Sequence, residues 1–254
     1  MCQENCLDGV DEVYGFHNCS TFDEGDIRVV EGPIFAECTD VRIKVHGQGG
    51  HGSAPHLVKD VISAANAIYS ALHSIISRNN DSRTSTVFTI CNFIAGNPGA
   101  NTAFPDLATM EGSIRSFDNV SKERVLDRIK KISSDIASAM ECTAEVEINF
   151  YDIDCPPVIN HAAQTQHVKR VANKYFGPEH MSEEGLPDMG AEDFSFFLQE
   201  KPGCYFTLGI KKPGTKTIDL HTSDYDFNDD MVATGGYFLT RLVEDRLGVK
   251  LLKD

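Results

Sequence analysis

The chain has 254 residues, 24% charged and 41% apolar or aromatic, a composition typical of globular proteins and not of collagens, disordered chains or membrane proteins. Its 23 Lys and Arg residues against 38 Asp and Glu residues give a net charge of −15, which would repel phosphate backbones and anionic lipids. No apolar run reaches the ~18 residues of a membrane helix. We therefore expect no nucleic-acid partner and no membrane span.

The eight cysteines are scattered, without any Cys-x-x-Cys pair or zinc-ribbon spacing. In a chain of this length we interpret them as free, buried thiols of a reducing compartment. The first residues, MCQENCLDGV, lack the basic end and apolar run of a signal peptide. These features together predict a cytoplasmic location.

Residues 1–35 are short of secondary structure and contain one strand candidate, VYGFH, which ends at His17. The clearest periodicity follows in residues 36–150. It predicts, in order, a strand at DVRIKV, a helix over 60–78, strands over 86–94 and 107–117, a helix capped by Ser121, and a strand at AEVEINF. The order β-α-β-β-α-β is that of a ferredoxin-like unit, a four-stranded sheet with both helices on one face.

Residues 151–254 read as a linker, a helix over about 161–175, a short helix near 191–198, the strand CYFTLGI and a long amphipathic helix over 228–247. Neither flank has enough strands for a finished sheet. We therefore interpret 1–35 and 151–254 as two pieces of one incomplete α/β domain, into which 36–150 is inserted. The predicted fold class is α/β (α+β).

Several polar residues sit where chemistry is common, although each also has a purely structural explanation. His17 at a strand end and His221 in an acid-rich loop could be metal ligands or hydrogen-bonded structural histidines. His51, flanked by glycines in GQGGHGSAPH, could donate to an oxyanion from backbone that can adopt positive φ, or could mark a simple turn. Arg115 could clamp a carboxylate or pair with a surface acid. Glu192 lies at the start of a predicted helix, where the helix dipole favours a carboxylate even without a catalytic role.

Taken in order, however, these motifs resemble one family. GVDEVYGFHN, EGPIFAECTDVRIKVHGQGGHGSAPH, the Asn-rich turn before EGSIRSFD, PDMGAEDFSFF and IDLHTSDYDFND are similar to the metal-dependent amidohydrolases of the peptidase M20 family, such as aminoacylases, hippurate hydrolases and indole-acetyl-amino-acid hydrolases. The resemblance covers essentially the whole chain. It implies a zinc-peptidase-like catalytic domain with an inserted dimerisation, or lid, domain.

The resemblance also implies roles for individual residues. His17 and His221 match metal ligands, and His51 matches a lid histidine that supports the oxyanion, in many members across a homodimer. Arg115 and Asn101 match the substrate-binding region. Glu192 matches an acid that lies close to the site and orients the residues that bind there. The family's Asn-Val-Ile-Pro-Asp turn is here Thr-Ala-Phe-Pro-Asp over 102–106, with Asn101 one place early.

The family's upstream elements, which supply the general base and most other ligands, have no counterpart in these residues. The first interpretation is therefore an N-terminally truncated hydrolase of amide bonds in N-acyl amino acids or small peptides, with a zinc, manganese or cobalt ion only in the intact member and a missing N-terminal half as partner. The alternative is a non-catalytic relative retained as a dimerisation or assembly subunit. A homodimer through 36–150 is expected in both cases.

Overall fold

The computed structural model describes residues 2–151 and 155–252, which form two compact units. The first unit comprises Met1–Phe35, Val158–Asp188 and Glu192–Asp254, and the second comprises Ala36–Pro157 and Met189–Ala191. The strands are β1 Val13–Asp23, β2 Ile27–Arg28, β3 Gly32–Phe35, β4 Glu37–His46, β5 Gly50–His51, β6 Thr86–Ala95, β7 Ala103–Phe104, β8 Leu107–Ser116, β9 Thr143–Ile148, β10 Val158–Asn160, β11 Met181–Ser182 and β12 Gly203–Lys211. The α-helices are α1 Val61–Leu72, α2 Ser74–Arg78, α3 Asn119–Ala139, α4 Ala162–Tyr175, α5 Ser195–Glu200 and α6 Asp230–Leu247.

The first unit is built around β12, whose residues 203–210 are all buried. Its sheet has the order β1-β12-β2-β11, with β1 parallel and β2 antiparallel to β12. Phe206 and Leu208 pack with residues of α4 and α6, while Tyr205 packs with Leu198 of α5. A strand covered on both faces explains why CYFTLGI reads as a continuous apolar run.

The second unit has a four-stranded antiparallel sheet in the order β6-β8-β4-β9, with α1 between β4 and β6 and α3 between β8 and β9 in the chain. Val41, Ile43 and Val45 of β4 are fully buried among α1 and α3 residues. The intervening Arg42 bridges β8 and β9 by pairing with Glu111 at 2.6 Å and Glu147 at 3.3 Å. Alternation along β4 thus separates an apolar core from a charged sheet face.

Two local predictions need correction. The helix predicted over 60–78 ends at Leu72 and resumes at Ser74, whose hydroxyl donates to the Ala71 carbonyl at 2.7 Å. The apolar stripe continues across this break, which is why periodicity missed it. The N-cap of α3 is Asp118, which accepts the Ser121 amide at 2.8 Å, and not Ser121 itself.

The cysteine prediction is right only in part. All eight cysteines are free thiols, but only Cys142, Cys155 and Cys204 are buried, and Cys6 and Cys91 are exposed. Burial raises the pKa of Cys204 to about 12, so this thiol stays protonated at neutral pH. Among the described helices, none has the length and apolar character needed to cross a bilayer.

Glu244 in α6 joins the last described residues to the first unit. Its carboxylate accepts the amides of Leu251 at 2.5 Å and Leu252 at 2.6 Å and pairs with Arg241 at 2.6 Å. These contacts, led by the Leu252 amide, lower the pKa of Glu244 from 4.5 to about 2. A carboxylate with a depressed folded-state pKa stabilises the fold while it is ionised.

We expect Glu244→Gln to lower the free energy of unfolding at neutral pH. The difference from the wild type should persist above pH 4.5 and disappear as the pH falls towards about 2, the folded-state pKa. Urea titrations at a series of pH values measure this difference. Glu200→Gln, at an exposed position, is the control, and a pH-independent effect of Glu244→Gln would contradict the assignment.

Candidate functional site

His51 lies on a short ribbon in the second unit, formed with the Asn-rich turn over 96–106. Gly50 pairs with Phe104 and His51 with Ala103 in a two-stranded antiparallel sheet. The Gly52 amide donates to the Thr102 carbonyl at 2.8 Å. The unusual length of this turn is therefore explained, because its backbone holds the histidine-bearing segment in place.

The glycines around His51 act through close approach rather than through unusual backbone angles. Gly47, Gly49, Gly50 and Gly52 all lack a positive φ. A Cβ on Gly49 would lie 2.3 Å from the Phe104 carbonyl oxygen, and the Gly49 amide donates to the Asp106 carboxylate at 2.6 Å. The positive φ that glycine permits is thus not used here, and the reason for glycine is backbone contact with the neighbouring turn.

We expect Gly49→Ala to destabilise this ribbon by about 1–3 kcal/mol, because the new methyl group overlaps the Phe104 carbonyl. Hydrogen exchange at the Gly52 amide should accelerate while exchange in β4 and β8 changes little. Gly236→Ala is the control, since a Cβ there meets no atom within 4 Å. Unchanged protection of Gly52 in Gly49→Ala would show that the ribbon does not need this glycine.

The two residues predicted to bind substrate also lie in the second unit. Arg115, on β8 between Cys38 and Val87, donates from Nη1 to the Met189 carbonyl at 2.9 Å. One N–H group of its guanidinium is thus bound to backbone, and a guanidinium has further N–H groups to offer. Asn101 is exposed in the turn that precedes β7.

Glu192 belongs to the first unit and is held by two described contacts. Its Oε2 accepts the Tyr205 hydroxyl at 2.8 Å, and its Oε1 accepts the Phe194 amide at 3.4 Å. Burial, together with the Glu192 charge, raises the pKa of Tyr205, so the phenol remains a donor. Sequence reasoning missed Tyr205 because an aromatic residue in a buried strand carries no signal of such a role.

His17 also lies in the first unit, but in the middle of β1 rather than at a strand end. The parallel pairing of β1 with β12 places it opposite Thr207 and continues to Asp23. The polar residues after His17 resemble a loop in sequence, which explains the error. Its Nδ1 lies 2.6 Å from the Asn18 carbonyl oxygen, which can only accept, so Nδ1 carries a proton and, in the neutral ring, Nε2 presents a lone pair.

His221 occupies a turn between β12 and α6 with a positive φ of 64°. The turn is connected to β1 because Asn18 Nδ2 donates to the Tyr225 hydroxyl at 2.5 Å. Among the described residues, no hydrogen bond links His221 to Asp219, Asp224 or Asp226. These three carboxylates therefore do not orient the His221 ring through a hydrogen bond.

The structure places His17, His221 and Glu192 in the first unit and His51, Arg115 and Asn101 in the second. Within 2–151 and 155–252, no group of three or more His, Cys, Asp or Glu side chains is placed to hold a metal ion. The Nε2 lone pair of His17 suits a ligand, but the described residues do not form a complete metal centre.

Comparisons with known proteins identify the family. The model of peptidase family M20/M25/M40 matches residues 1–245, so the chain belongs to this family. It is 34% identical over 232 residues to a hippurate hydrolase of Campylobacter jejuni, covering 91% of this chain and 58% of that protein. It is 31% identical over 238 residues to the IAA-amino acid hydrolase ILR1-like 4 of Arabidopsis thaliana, covering 92% and 53%.

Solved structures agree on the fold. The Bacillus subtilis YXEP protein, a dinuclear metal binding peptidase from the M20 family, superposes with a TM-score of 0.73 at 22% identity, covering 98% of this chain and 61% of that one. A protein from methicillin-resistant Staphylococcus aureus gives a TM-score of 0.77 at 26% identity, covering 96% and 61%. The chain thus spans less than two thirds of the length of these relatives.

Proposed function

We propose that this chain forms part of a metal-dependent amidohydrolase that cleaves the amide bond of N-acyl amino acids or small peptides. The observation that carries the proposal is His51, an exposed imidazole held by a backbone ribbon within a chain of the M20 family. Such a group suits a preorganised donor to a developing oxyanion. The hippurate and IAA-amino acid hydrolases among the relatives act on the proposed type of substrate, an acylated amino acid.

In this proposal each residue of the chain has one task. His51 donates to the carbonyl oxygen of the scissile amide, and Arg115 binds the substrate carboxylate with the N–H groups that Met189 does not use. Asn101 borders the same substrate region. Glu192 supports the site through Tyr205 without touching substrate.

His17 and His221 are proposed as two ligands of a zinc, manganese or cobalt ion, and the remaining ligands and the general base would come from a further N-terminal part. The ion, when bound, supplies Lewis-acid polarisation and an activated water. Because β1 stands at one end of the described sheet, its outer edge is the position at which strands of such a part would add.

We expect the 254-residue chain alone to hydrolyse N-acyl amino acids no faster than background, since its described residues form no complete metal centre. Joined to, or co-expressed with, the N-terminal part of a family member, it should bind metal and turn over substrate. Metal content by mass spectrometry and hydrolysis of a panel of N-acyl amino acids test both statements.

Variants of the active form assign the roles. His17→Ala and His221→Ala should lower metal content, whereas His51→Ala should lower kcat by about 10²–10³-fold with metal retained. His56→Ala, which alters an exposed histidine of the same segment, is the control. Metal-dependent turnover by the 254-residue chain, lost in His221→Ala, would refute the proposed division of the site.

One alternative is compatible with the same described residues, a non-catalytic relative kept for dimerisation or assembly. The same assay separates the two functions. A chain that binds no metal and stays inactive with every N-terminal part supplied would support the alternative.

A homodimer through residues 36–150 is proposed in both cases. Strand β6 stands at one end of the second unit's sheet, and Ile94, Phe93 and Leu107 on β6 and β8 are 57%, 39% and 42% exposed. A sheet edge next to exposed apolar side chains favours pairing with an identical edge about a two-fold axis.

We expect Ile94→Glu to shift the chain towards monomer, because it places a charge beside the proposed interface. Val232→Glu, at an exposed position of α6 in the first unit, should leave the association unchanged. Sedimentation equilibrium measures both variants. A wild-type chain that remains monomeric at high micromolar concentration would contradict the dimer.

A further inference from the structure

Ser53 provides two hydrogen-bond donors to the ring of His51. Its backbone amide lies 3.1 Å from Nδ1 of the imidazole, and its hydroxyl oxygen lies 2.8 Å from the same nitrogen. An amide N–H can only donate, so Nδ1 must present its lone pair. The hydroxyl must then donate as well, because a nitrogen that offers a lone pair has no proton to give.

A neutral imidazole with a lone pair on Nδ1 carries its proton on Nε2. The described hydrogen bonds of the His51 ring involve only Nδ1, and the residue is exposed. The Nε2–H group is therefore the part of the ring that can reach a ligand. It can donate a hydrogen bond but cannot accept one.

Backbone contacts hold the ring and its partner in one turn. The Ala54 amide donates to the His51 carbonyl at 2.9 Å, which closes a turn over residues 51–54, and Gly52 between them is bound to Thr102 at 2.8 Å. Ser53 is thus kept at the distance that both of its donors require. The arrangement is local and lies wholly within the second unit.

His17 provides an internal contrast. There Nδ1 donates to the carbonyl of Asn18, which in the neutral ring leaves the lone pair on Nε2. A metal ligand needs a lone pair, whereas a group that stabilises an oxyanion needs a proton. The two histidines are therefore held in opposite tautomers, each the one that its proposed role requires.

We propose that Ser53 is a positioning residue that holds His51 as the neutral Nε2–H tautomer, so that Nε2 donates to the carbonyl oxygen of the scissile amide. The identity of the group that receives the Nε2–H hydrogen bond rests on the proposed function. The assignment of the tautomer does not. Without Ser53 the ring could present a lone pair to the oxygen, which would repel the charge that develops there.

The test reads the tautomer directly. The full chain is labelled with ¹⁵N in its histidine rings and studied by long-range ¹H–¹⁵N correlation at about pH 8, where an ordinary imidazole is neutral. His51→Gln assigns the signals. We expect His51 to show a protonated Nε2 and a hydrogen-bonded, unprotonated Nδ1, with no detectable Nδ1–H form.

Substitutions of Ser53 separate positioning from folding. In Ser53→Ala, which removes the hydroxyl donor, a Nδ1–H population should become detectable, approaching the mixture of the exposed His56. Ser53→Thr keeps a hydroxyl and should restore the wild-type pattern. Ser70→Ala, another exposed serine of the second unit, should leave the His51 signals unchanged.

A Nδ1–H tautomer in the wild type, or the same mixture at His51 and His56, would overturn the proposal. Identical spectra for Ser53→Ala and the wild type would also overturn it, since the hydroxyl would then position nothing. The spectra do not depend on turnover. Failure to hydrolyse amides would therefore refute the proposed function while leaving the tautomer assignment intact.

Discussion

The complete burial of β12 is the constraint on which the first unit depends. Eight consecutive buried residues need neighbours on both faces and hydrogen-bond partners along both edges. Helices α4 and α6 pack against one face, α5 packs against the other, and β1 and β2 occupy the edges. The parallel register with β1 then fixes His17 opposite Thr207, and the end of β12 leads into the turn that carries His221. The position of His17 thus follows from the pairing partners that β12 requires.

In the second unit, His51 is positioned by a different kind of interaction. Here the apolar core lies between the sheet and its helices, while His51 is held outside it by backbone contacts between two short segments. Such contacts require a residue without a side chain at Gly49, and they leave the imidazole exposed. The ribbon is therefore positioned by hydrogen bonds and not by burial, and supporting hydrogen bonds are one means by which a functional group is preorganised.

Much of this arrangement could be predicted from the sequence, because hydrophobic period is a strong signal. The alternation of Val41, Ile43 and Val45 and the apolar run of β12 identify their strands, and both observations agree with the structure. The mid-strand position of His17 was missed because the end of β1 is polar and is paired on one edge only. The reason for the glycines around His51 was missed because local sequence does not show which distant backbone a glycine must approach. The hydrogen bonds that select the tautomers of His17 and His51 depend on interatomic distances, which a pattern of apolar and polar residues does not specify.

The hydrogen bond from Asn18 to Tyr225 has an evolutionary consequence. It joins β1 to the turn of His221 through two side chains, whereas the His17 ring is oriented by the backbone carbonyl of the next residue. Any amino acid at position 18 can supply that carbonyl, but only some can reach a phenol. Substitutions at position 18 should therefore be tolerated by the histidine beside it and be accompanied by compensating changes at position 225. Substitutions at these two positions would then be correlated among related sequences. The orientation of His17, in contrast, would be retained without any particular side chain at position 18.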